Sequence, residues 1–212
     1  LFVQRRKGDK NKIVCDGDLI MPIKKKLSRS EVIYDSINIK SHSVIHNDSI
    51  KNNIKWNSDA AIQNNGNLDF NIGIGKGSND NIEFSVHLLP GIITNDGEMW
   101  AISESNIYSN IGKFHIKNLA IHNNDKRLSV NGTIGDQEND SLKVNLSHID
   151  IGKLMGIANF RPVALDGIAT GDVNVSRILK TPKLNTHLLV DRFKFENGYM
   201  GDMIFDGRWD EE

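Results

Sequence analysis

Apolar and polar residues alternate along most of the chain, and this period of two residues constrains the fold more than any other feature. Two alternating runs flank the turn-rich segment 75–81. Their apolar members are Leu68, Phe70, Ile72, Ile74, Ile82, Phe84, Val86 and Leu88. Residues two apart project from the same face of a β-strand. The sequence therefore predicts a hairpin whose two strands share one apolar face, with Phe70 and Phe84 on the same side.

The same alternation recurs through the second half of the chain. Its clearest members are Phe114, Ile116, Leu128, Val130, Leu142, Val144, Leu146, Val173, Val175, Leu188, Val190, Phe193, Phe195, Met203 and Phe205. The parity slips by one between Ile116 and Leu119, and again between Val190 and Phe193. An extra residue in one strand is a β-bulge, which bends and twists a sheet. We therefore expect a curved sheet.

Clusters of Asn, Asp and Gly separate the predicted strands at 8–11, 63–66, 95–97, 123–125 and 135–140. These residues adopt positive φ at low cost, so the clusters suit hairpin loops. Asn131 and Gly132 lie within an apparent strand, where a bulge is expected instead. The segment 24–47 is predicted as strand, although Ser28 to Glu31 could open a short helix.

One segment has a helical pattern. The apolar residues of 151–158 recur at approximately i, i+3 and i+4, Asp150 is a suitable N-cap, and Arg161 followed by Pro162 would end the run. About a dozen strands in antiparallel hairpins with one short helix make an all-β protein. Two geometries remain open: a closed sandwich or barrel, and an elongated, curved, half-open antiparallel sheet whose apolar face lines a groove. Aromatic residues make up 7% of the chain, and composition alone does not separate the two.

Charge and cysteine content exclude some classes of protein. The net charge is −1, with 26 Lys and Arg against 27 Asp and Glu, and a nucleic-acid surface would need an excess of cations. The short basic runs at 5–7 and 24–26 are interpreted as solvated strand ends or turns. The single cysteine, Cys15, precludes an internal disulfide framework. The sequence has no membrane-spanning run and no signal peptide, and it opens at Leu1. We interpret it as a segment of a longer protein, with the membrane anchor outside it.

Sequence motifs for a metal or phosphate site are weak. His42 and His46 could share a strand face, but a zinc site needs three or four ligands and no partner has suitable spacing. The glycines of 73–78 lack the spacing of a phosphate-binding loop, and they favour a hairpin turn. The acidic and amide clusters 16–18 and 79–81 lack the glutamate of a calcium loop and are interpreted as turns. We predict no catalytic residue, no metal and no cofactor.

The last part of the chain carries a degenerate motif. A strand with two spaced glycines is followed by a loop that ends in Pro-x-Leu, then by two strands, the second of which begins at a glycine. The matching residues are Gly167, Gly171, Val173, Val175, Pro182, Leu184, Gly201 and Trp209. Over residues 81–212 this pattern resembles the repeating unit of the TamB/AsmA-like superfamily, especially its forms in Bacteroides-like bacteria. Residues 1–80 are assigned only by continuity, as N-terminal strands of the same repetitive sheet.

The resemblance implies a non-enzymatic scaffold in the bacterial envelope. Its sheet would fold lengthwise into a taco-like trough, anchored in the inner membrane and lying in the periplasm. It would carry phospholipid between the inner and outer membranes or assist the assembly of outer-membrane proteins, with a TamA-like outer-membrane barrel as a partner. The expected groove residues, which would contact phospholipid acyl chains, are Leu68, Phe70, Ile72, Ile74, Ile82, Phe84, Val86, Leu88, Leu142, Val144, Leu146, Val173, Val175, Leu188, Val190, Phe193 and Phe195. The alternative is a surface or periplasmic β-sandwich that acts as an adhesin or glycan-binding module, with a closed core.

Overall fold

A computed structural model describes residues 2–4, 12–26, 32–58, 63–77, 81–157, 164–196 and 198–210. The chain divides into two compact units, Leu1–Ile111 and Gly112–Glu212. The sequence was divided at residue 80 according to where the resemblance begins. That division concerns family membership, which the compactness of the fold does not test, so it stays a prediction.

The N-terminal unit is an antiparallel sheet. Its strands are β1 (Phe2–Gln4), β2 (Lys12–Lys26), β3 (Val32–His46), β4 (Ser49–Ser58), β5 (Asn65–Lys76), β6 (Ile82–Leu88), β7 (Gly91–Asn95), β8 (Glu98–Ile102) and β9 (Ser105–Asn110). The strand order is β1-β2-β3-β4-β5-β6-β9, and β7 pairs with the first residues of β5 and with β8. The segment predicted as strand over 24–47 is strand at 24–26 and 32–46, and Asn47, with φ 49°, lies in the turn between β3 and β4. The residues of the alternative helix, 28–31, lie outside the described part.

The C-terminal unit is an antiparallel meander with one helix. Its elements are β10 (Lys113–Asn123), β11 (Lys126–Ile134), β12 (Ser141–Asp150), α1 (Ile151–Ile157), β13 (Leu165–Ser176), β14 (Lys183–Phe195) and β15 (Gly198–Asp210). Each strand pairs with the next in sequence. The Asp150 carboxylate accepts a hydrogen bond of 2.9 Å from the backbone N–H of Lys153, as expected of an N-cap. The predicted helix end at Arg161 and Pro162 lies outside the described residues.

The predicted all-β class, with a curved antiparallel sheet and one short helix among the described residues, is confirmed. The turns at 95–97 and 123–125 are confirmed as well. Asp96 and Gly97 both have positive φ (50° and 78°), as a tight hairpin turn with a primed geometry requires, and Asn124 has φ 51°.

Three predictions about turns were wrong in detail. Asn65 and Gly66 belong to β5, Gly75 and Lys76 of the predicted turn 75–81 belong to its far end, and Asp16 to Asp18 lie in the middle of β2. In each case a polar residue or a glycine occupies a strand position, because one face of this sheet accepts polar side chains and pairing with neighbouring strands outweighs local turn propensity. The predicted turn at 8–11 lies outside the described residues.

Regular β-bulges interrupt the C-terminal sheet. Both predicted slips are confirmed: the pairing shifts between Ile116 and Leu119 and between Val190 and Phe193. A third shift, which the sequence analysis did not identify, separates Leu146 from Ile149. These three bulges occur on β10, β12 and β14, and a further shift between Phe193 and Lys194 adds a residue to β15. They bend this sheet and keep the apolar residues on both sides of each bulge on one face.

The three bulges share one backbone arrangement. In each bulge, the residue just before pairing resumes has positive φ. These residues are Asn118 (59°), His148 (48°) and Arg192 (55°). The backbone N–H of this residue donates to a side chain on the following strand. The acceptors are Asn131 Oδ1 at 2.6 Å, Thr170 Oγ1 at 3.1 Å and Asp202 Oδ1 at 3.0 Å. Side chains thus satisfy donors that the interrupted ladder would leave unpaired.

Two glycines next to these acceptors allow the strands to approach closely. Gly132 and Gly171 have φ of 133° and 144°. A Cβ at Gly132 would lie 2.0 Å from the carbonyl oxygen of Ser141, and one at Gly171 would lie 2.1 Å from that of His187. Only glycine fits such positions without moving the neighbouring backbone.

Candidate functional site

The predicted apolar residues of the N-terminal unit share one face. In the β5–β6 pair, Ile72 lies opposite Val86 and Ile74 lies opposite Phe84. Directly opposed residues project to the same side of a sheet, and the register has no shift over this pair. Phe70 and Phe84 are therefore on the same face, and the predicted hairpin register is confirmed. The role of these residues in lipid binding stays a prediction.

Pairing extends this face across further strands. One apolar residue from each strand falls into a single row, which we call the isoleucine row. Its members, from β2 through β3, β4, β5 and β6 to β9, are Ile13, Ile45, Ile50, Ile72, Val86 and Ile107. A second row on the same face contains Leu19, Ile39, Trp56, Gly66, Ile93 and Trp100. The N-terminal unit therefore has a continuous apolar face, and its two described tryptophans lie on it.

The apolar face of this unit is poorly covered. Leu19, Ile74 and Ile82 are exposed to 58%, 48% and 77%. The members of the isoleucine row are half-buried, apart from Ile13, which is exposed to 39%. Among the described residues of the unit, Ile102 is the one buried hydrophobic side chain. A closed sandwich would bury this face under a second layer, and the described residues of this unit provide none.

The predicted groove residues of the C-terminal unit also share a face within that unit. Leu142 is paired with Val175 and Val144 with Val173. The bulge between Val190 and Phe193 keeps both residues on that side, because their partners Met203 and Gly201 have the same parity on β15. Their burial varies along the strands. Leu146, Val190 and Phe193 are buried, the paired valines of β12 and β13 are half-buried, and Phe195 is 45% exposed.

A small core lies where α1 packs against β13. Ile149, Ile151 and Ala169 are exposed to 9% or less. The short helix follows β12 directly, and its N-cap at Asp150 fixes the direction in which the chain leaves the sheet. This small core is structural, whereas Phe205 and Trp209 of β15 are exposed.

One cavity of the N-terminal unit lies against the face opposite to the predicted groove. We call it the polar groove; its volume is about 800 Å³. The side chains that face it are Asp18, Ile20, Asn38, Lys40, Lys55, Asn57, Asn65, Asn67 and Ile92, which share one parity in the strand register. Leu19, Ile39, Trp56 and Gly66 complete the lining from the intervening row, whose side chains project to the other side. This groove was not predicted from the sequence, although its polar residues alternate visibly along β3, β4 and β5.

Histidine–carboxylate pairs tie neighbouring strands together on the polar surfaces. His42 Nδ1 lies 2.6 Å from Asp16 Oδ1, and His87 Nε2 lies 2.6 Å from Glu104 Oε1. In the C-terminal unit, the hydrogen bond and the charge of Asp206 raise the pKa of His187. All of these groups are substantially exposed. They are cross-strand pairs in contact with solvent and do not form a buried acid–base site.

One ion pair is largely shielded from solvent. Lys113 Nζ lies 2.7 Å from Asp140 Oδ1, and the Asp140 side chain is 7% exposed. The hydrogen bond from Lys113 lowers the pKa of the Asp140 carboxyl, against the opposing effect of burial. A second carboxylate oxygen accepts from the backbone N–H of Gln137. The arrangement fixes the loop between β11 and β12 and is structural.

His42 and His46 lie on one face of β3, as their spacing predicts. Within the described ranges, no three His, Cys, Asp or Glu side chains come close enough together to hold a metal ion. No helix in those ranges is both long and apolar enough to span a membrane. Residues 73–76 and 16–18 of the phosphate-loop and calcium-loop segments are strand. Gly77 and Asn81 lie between β5 and β6, where the backbone N–H of Gly77 donates a 2.8 Å hydrogen bond to the carbonyl oxygen of Asn81, and residues 78–80 lie outside the described part.

Comparisons of the chain with family models, with curated proteins and with solved structures found no match. The resemblance to TamB/AsmA-like repeats therefore stays a prediction from the motif residues. The motif glycines Gly167, Gly171 and Gly201 all adopt positive φ, so each has a backbone reason to be glycine in this fold whatever its family.

Proposed function

We propose that the chain is a non-catalytic segment of a bacterial envelope scaffold that binds phospholipid acyl chains on its apolar face. The single observation that supports this most is the isoleucine row, an apolar line across six paired strands that no second layer of the described residues of this unit covers. Contiguous exposed apolar surface on a soluble domain commonly marks a site for a ligand, a partner or a membrane.

The dimensions of the row suit an acyl chain. Six strands have five spacings of about 4.8 Å, so the row runs for roughly 24 Å. One acyl chain crosses about half of a hydrocarbon core that is about 30 Å thick. Each buried methylene contributes about 0.8 kcal/mol, and a whole chain therefore gains on the order of 10 kcal/mol in a dry site. Because this attraction has no preferred direction, lipid could slide from one strand to the next.

The cellular setting follows from the motif resemblance. The segment would lie in the periplasm, in a protein anchored in the inner membrane. It would deliver phospholipid toward the outer membrane or assist the assembly of outer-membrane proteins with a TamA-like barrel. An adhesin or glycan-binding sandwich would need a closed core, and the uncovered apolar face of the N-terminal unit favours the lipid scaffold over that alternative.

The test is a charge on the apolar face. Val175 is half-buried between Leu142 and Leu184 on the paired strands. In a groove wall, the carboxylate of Val175→Asp retains access to water, so the variant should fold while the amount of phospholipid bound falls. The matched control is Asn174→Asp, which adds the same charge to the next residue, on the opposite, exposed face. Thermal melting reports the fold, and mass spectrometry of co-purified lipid reports binding.

Two results would count against the proposal. If Val175→Asp unfolds the C-terminal unit while Asn174→Asp does not, the valine belongs to a closed core in which an unpaired charge is intolerable. If a well-folded Val175→Asp protein retains as much lipid as the control, the face does not contact lipid.

A further inference from the structure

The polar groove runs between two parallel rows of side chains. Lys40 on β3 and Lys55 on β4 form the middle of one row, with Asp18 on β2 and Asn67 on β5 at its ends. The adjacent row has three asparagines, Asn38, Asn57 and Asn65, and begins at Ile20. Ile92 of β7, paired with Asn67, closes the side nearest the β7–β8 hairpin.

The two lysines are an unusual pair for a sheet. Lys40 and Lys55 are directly opposite each other on adjacent strands, so their Cβ atoms are about 5 Å apart and their like charges repel. Both are exposed, and neither forms an ion pair with a carboxylate of the described chain, Asp18 included. An anionic group placed between the two ammonium groups would remove the repulsion and accept hydrogen bonds from both.

The amides beside the lysines suit hydroxyl groups. An asparagine side chain offers two donors and one acceptor oxygen, so a row of them can satisfy hydroxyls that both donate and accept. Asn67 is held in place, because its Oδ1 accepts a 2.6 Å hydrogen bond from Asn53 and its amide donates to Asp69. Ile20 and Ile92 are 69% and 60% exposed and can contact the apolar faces of sugar rings.

We propose that the polar groove binds an acidic oligosaccharide. One carboxylate of the saccharide lies between Lys40 and Lys55, its hydroxyls face Asn57, Asn65 and Asn67, and its rings contact Ile20 and Ile92. This site is separate from the apolar face and does not rest on the lipid-binding role. The chain as a whole is close to neutral, so recognition depends on this local pair of cations and not on net charge.

The test is isothermal titration of the whole chain with a short oligogalacturonate. The comparison protein is Lys40→Gln/Lys55→Gln, which removes both cations and keeps polar side chains of similar length. The matched control is Lys143→Gln/Lys180→Gln, which makes the same change in net charge at two exposed positions of the C-terminal unit. A neutral maltooligosaccharide and inorganic phosphate are titrated in parallel.

We expect saturable binding of oligogalacturonate, weakened about ten-fold or more in the groove variant and by less than about two-fold in the control. Salt at about 0.5 M should weaken it, because the contact is exposed and ionic. The groove variant should melt at no lower a temperature than the wild type at low salt, because removing the two lysine charges removes the repulsion between them. If that variant fails to fold, single Lys40→Gln and Lys55→Gln variants take its place in the titration.

Four results would overturn the inference. The first is no detectable binding of oligogalacturonate. The second is equal weakening of binding in both double variants, which would indicate a general charge effect. The neutral saccharide binding as tightly as the acidic one would remove the role of the lysines. Inorganic phosphate binding as tightly as the oligosaccharide would reduce the groove to a simple anion site.

Discussion

Substitution of Gly171 by alanine should destabilise the C-terminal unit more than alanine at any glycine with open surroundings. Its φ of 144° lies in a region that residues with a Cβ rarely adopt, and the added Cβ would lie 2.1 Å from the carbonyl oxygen of His187. The backbone conformation costs about 1–3 kcal/mol, and displacement of β14 to relieve the overlap costs about 1–3 kcal/mol more. The expected loss in the free energy of unfolding is therefore about 2–6 kcal/mol.

Two other glycines separate these contributions. Gly201 has φ of 87° and nothing within 4 Å of a Cβ, so Gly201→Ala tests conformation alone and should cost about 1–2 kcal/mol. Gly75 has neither a positive φ nor a neighbour within 4 Å. Gly75→Ala should stay within about 0.5 kcal/mol of the wild type or gain slightly, because it restricts the unfolded chain.

Urea unfolding followed by circular dichroism measures all three variants on one scale. The predicted order of destabilisation is Gly171, then Gly201, then Gly75. If Gly171→Ala unfolds at the same urea concentration as Gly75→Ala, the close approach of β13 to β14 at the bulge is refuted, and the structural reason for a glycine there disappears.

The remaining predictions concern charge. Because Asp206 raises the pKa of His187 above its ordinary 6.5, the pair stabilises the fold fully below that value, and the stabilisation is lost as pH rises through the folded-state pKa. Asp206→Asn should therefore lower the urea midpoint more at pH 5.5 than at pH 8.5, and an equal effect at both would contradict the pairing. For Asp140 the sign is opposite. Its pKa is lowered from 3.8, so its contribution is present above 3.8 and is lost as pH falls through the folded-state pKa. Asp140→Asn should destabilise the protein at pH 7, with a difference from the wild type that shrinks in acid; a difference that grows in acid would refute this.

The sequence predicted strands well where alternation was strict and was misleading where polar residues stood in strands. The hairpin of β5 and β6 was correct in register because eight apolar residues fixed its face. The residue types of Asp16 to Asp18 predict a turn, because Asp and Gly favour turns. In the fold, Asp16 and Asp18 lie on the polar face of β2, and Asp16 pairs with His42 of β3. Local propensity could not reveal that partner.

The bulges also show what local sequence can and cannot predict. Each of the three separates two apolar residues by three positions instead of two: Ile116 from Leu119, Leu146 from Ile149, and Val190 from Phe193. Two were predicted from this spacing, and the third was readable by the same rule. The side chains that satisfy the bulges were not predictable, because Asn131, Thr170 and Asp202 become neighbours only through pairing with the next strand.

The candidate sites were predictable to different degrees. The alternating apolar residues of β5, β6 and the C-terminal strands could be assigned to faces from their spacing. The isoleucine row could not, since Ile13, Ile45 and Ile50 come from three strands whose relative register is set only in the sheet. The polar groove depends on the same register, which brings Lys40 beside Lys55 from positions 15 residues apart in the numbering.

The most direct test of lipid binding is photocrosslinking from adjacent residues of one strand. A photoreactive amino acid at Ile72 lies in the isoleucine row, and the same residue at Asn71 lies on the opposite, polar face. Each protein is mixed with vesicles of radiolabelled phosphatidylethanolamine and phosphatidylglycerol, illuminated and resolved by electrophoresis. The lipid-scaffold proposal predicts a labelled protein band from position 72 and little or none from position 71. Equal labelling from both positions, or none from position 72 in a folded protein, would contradict it.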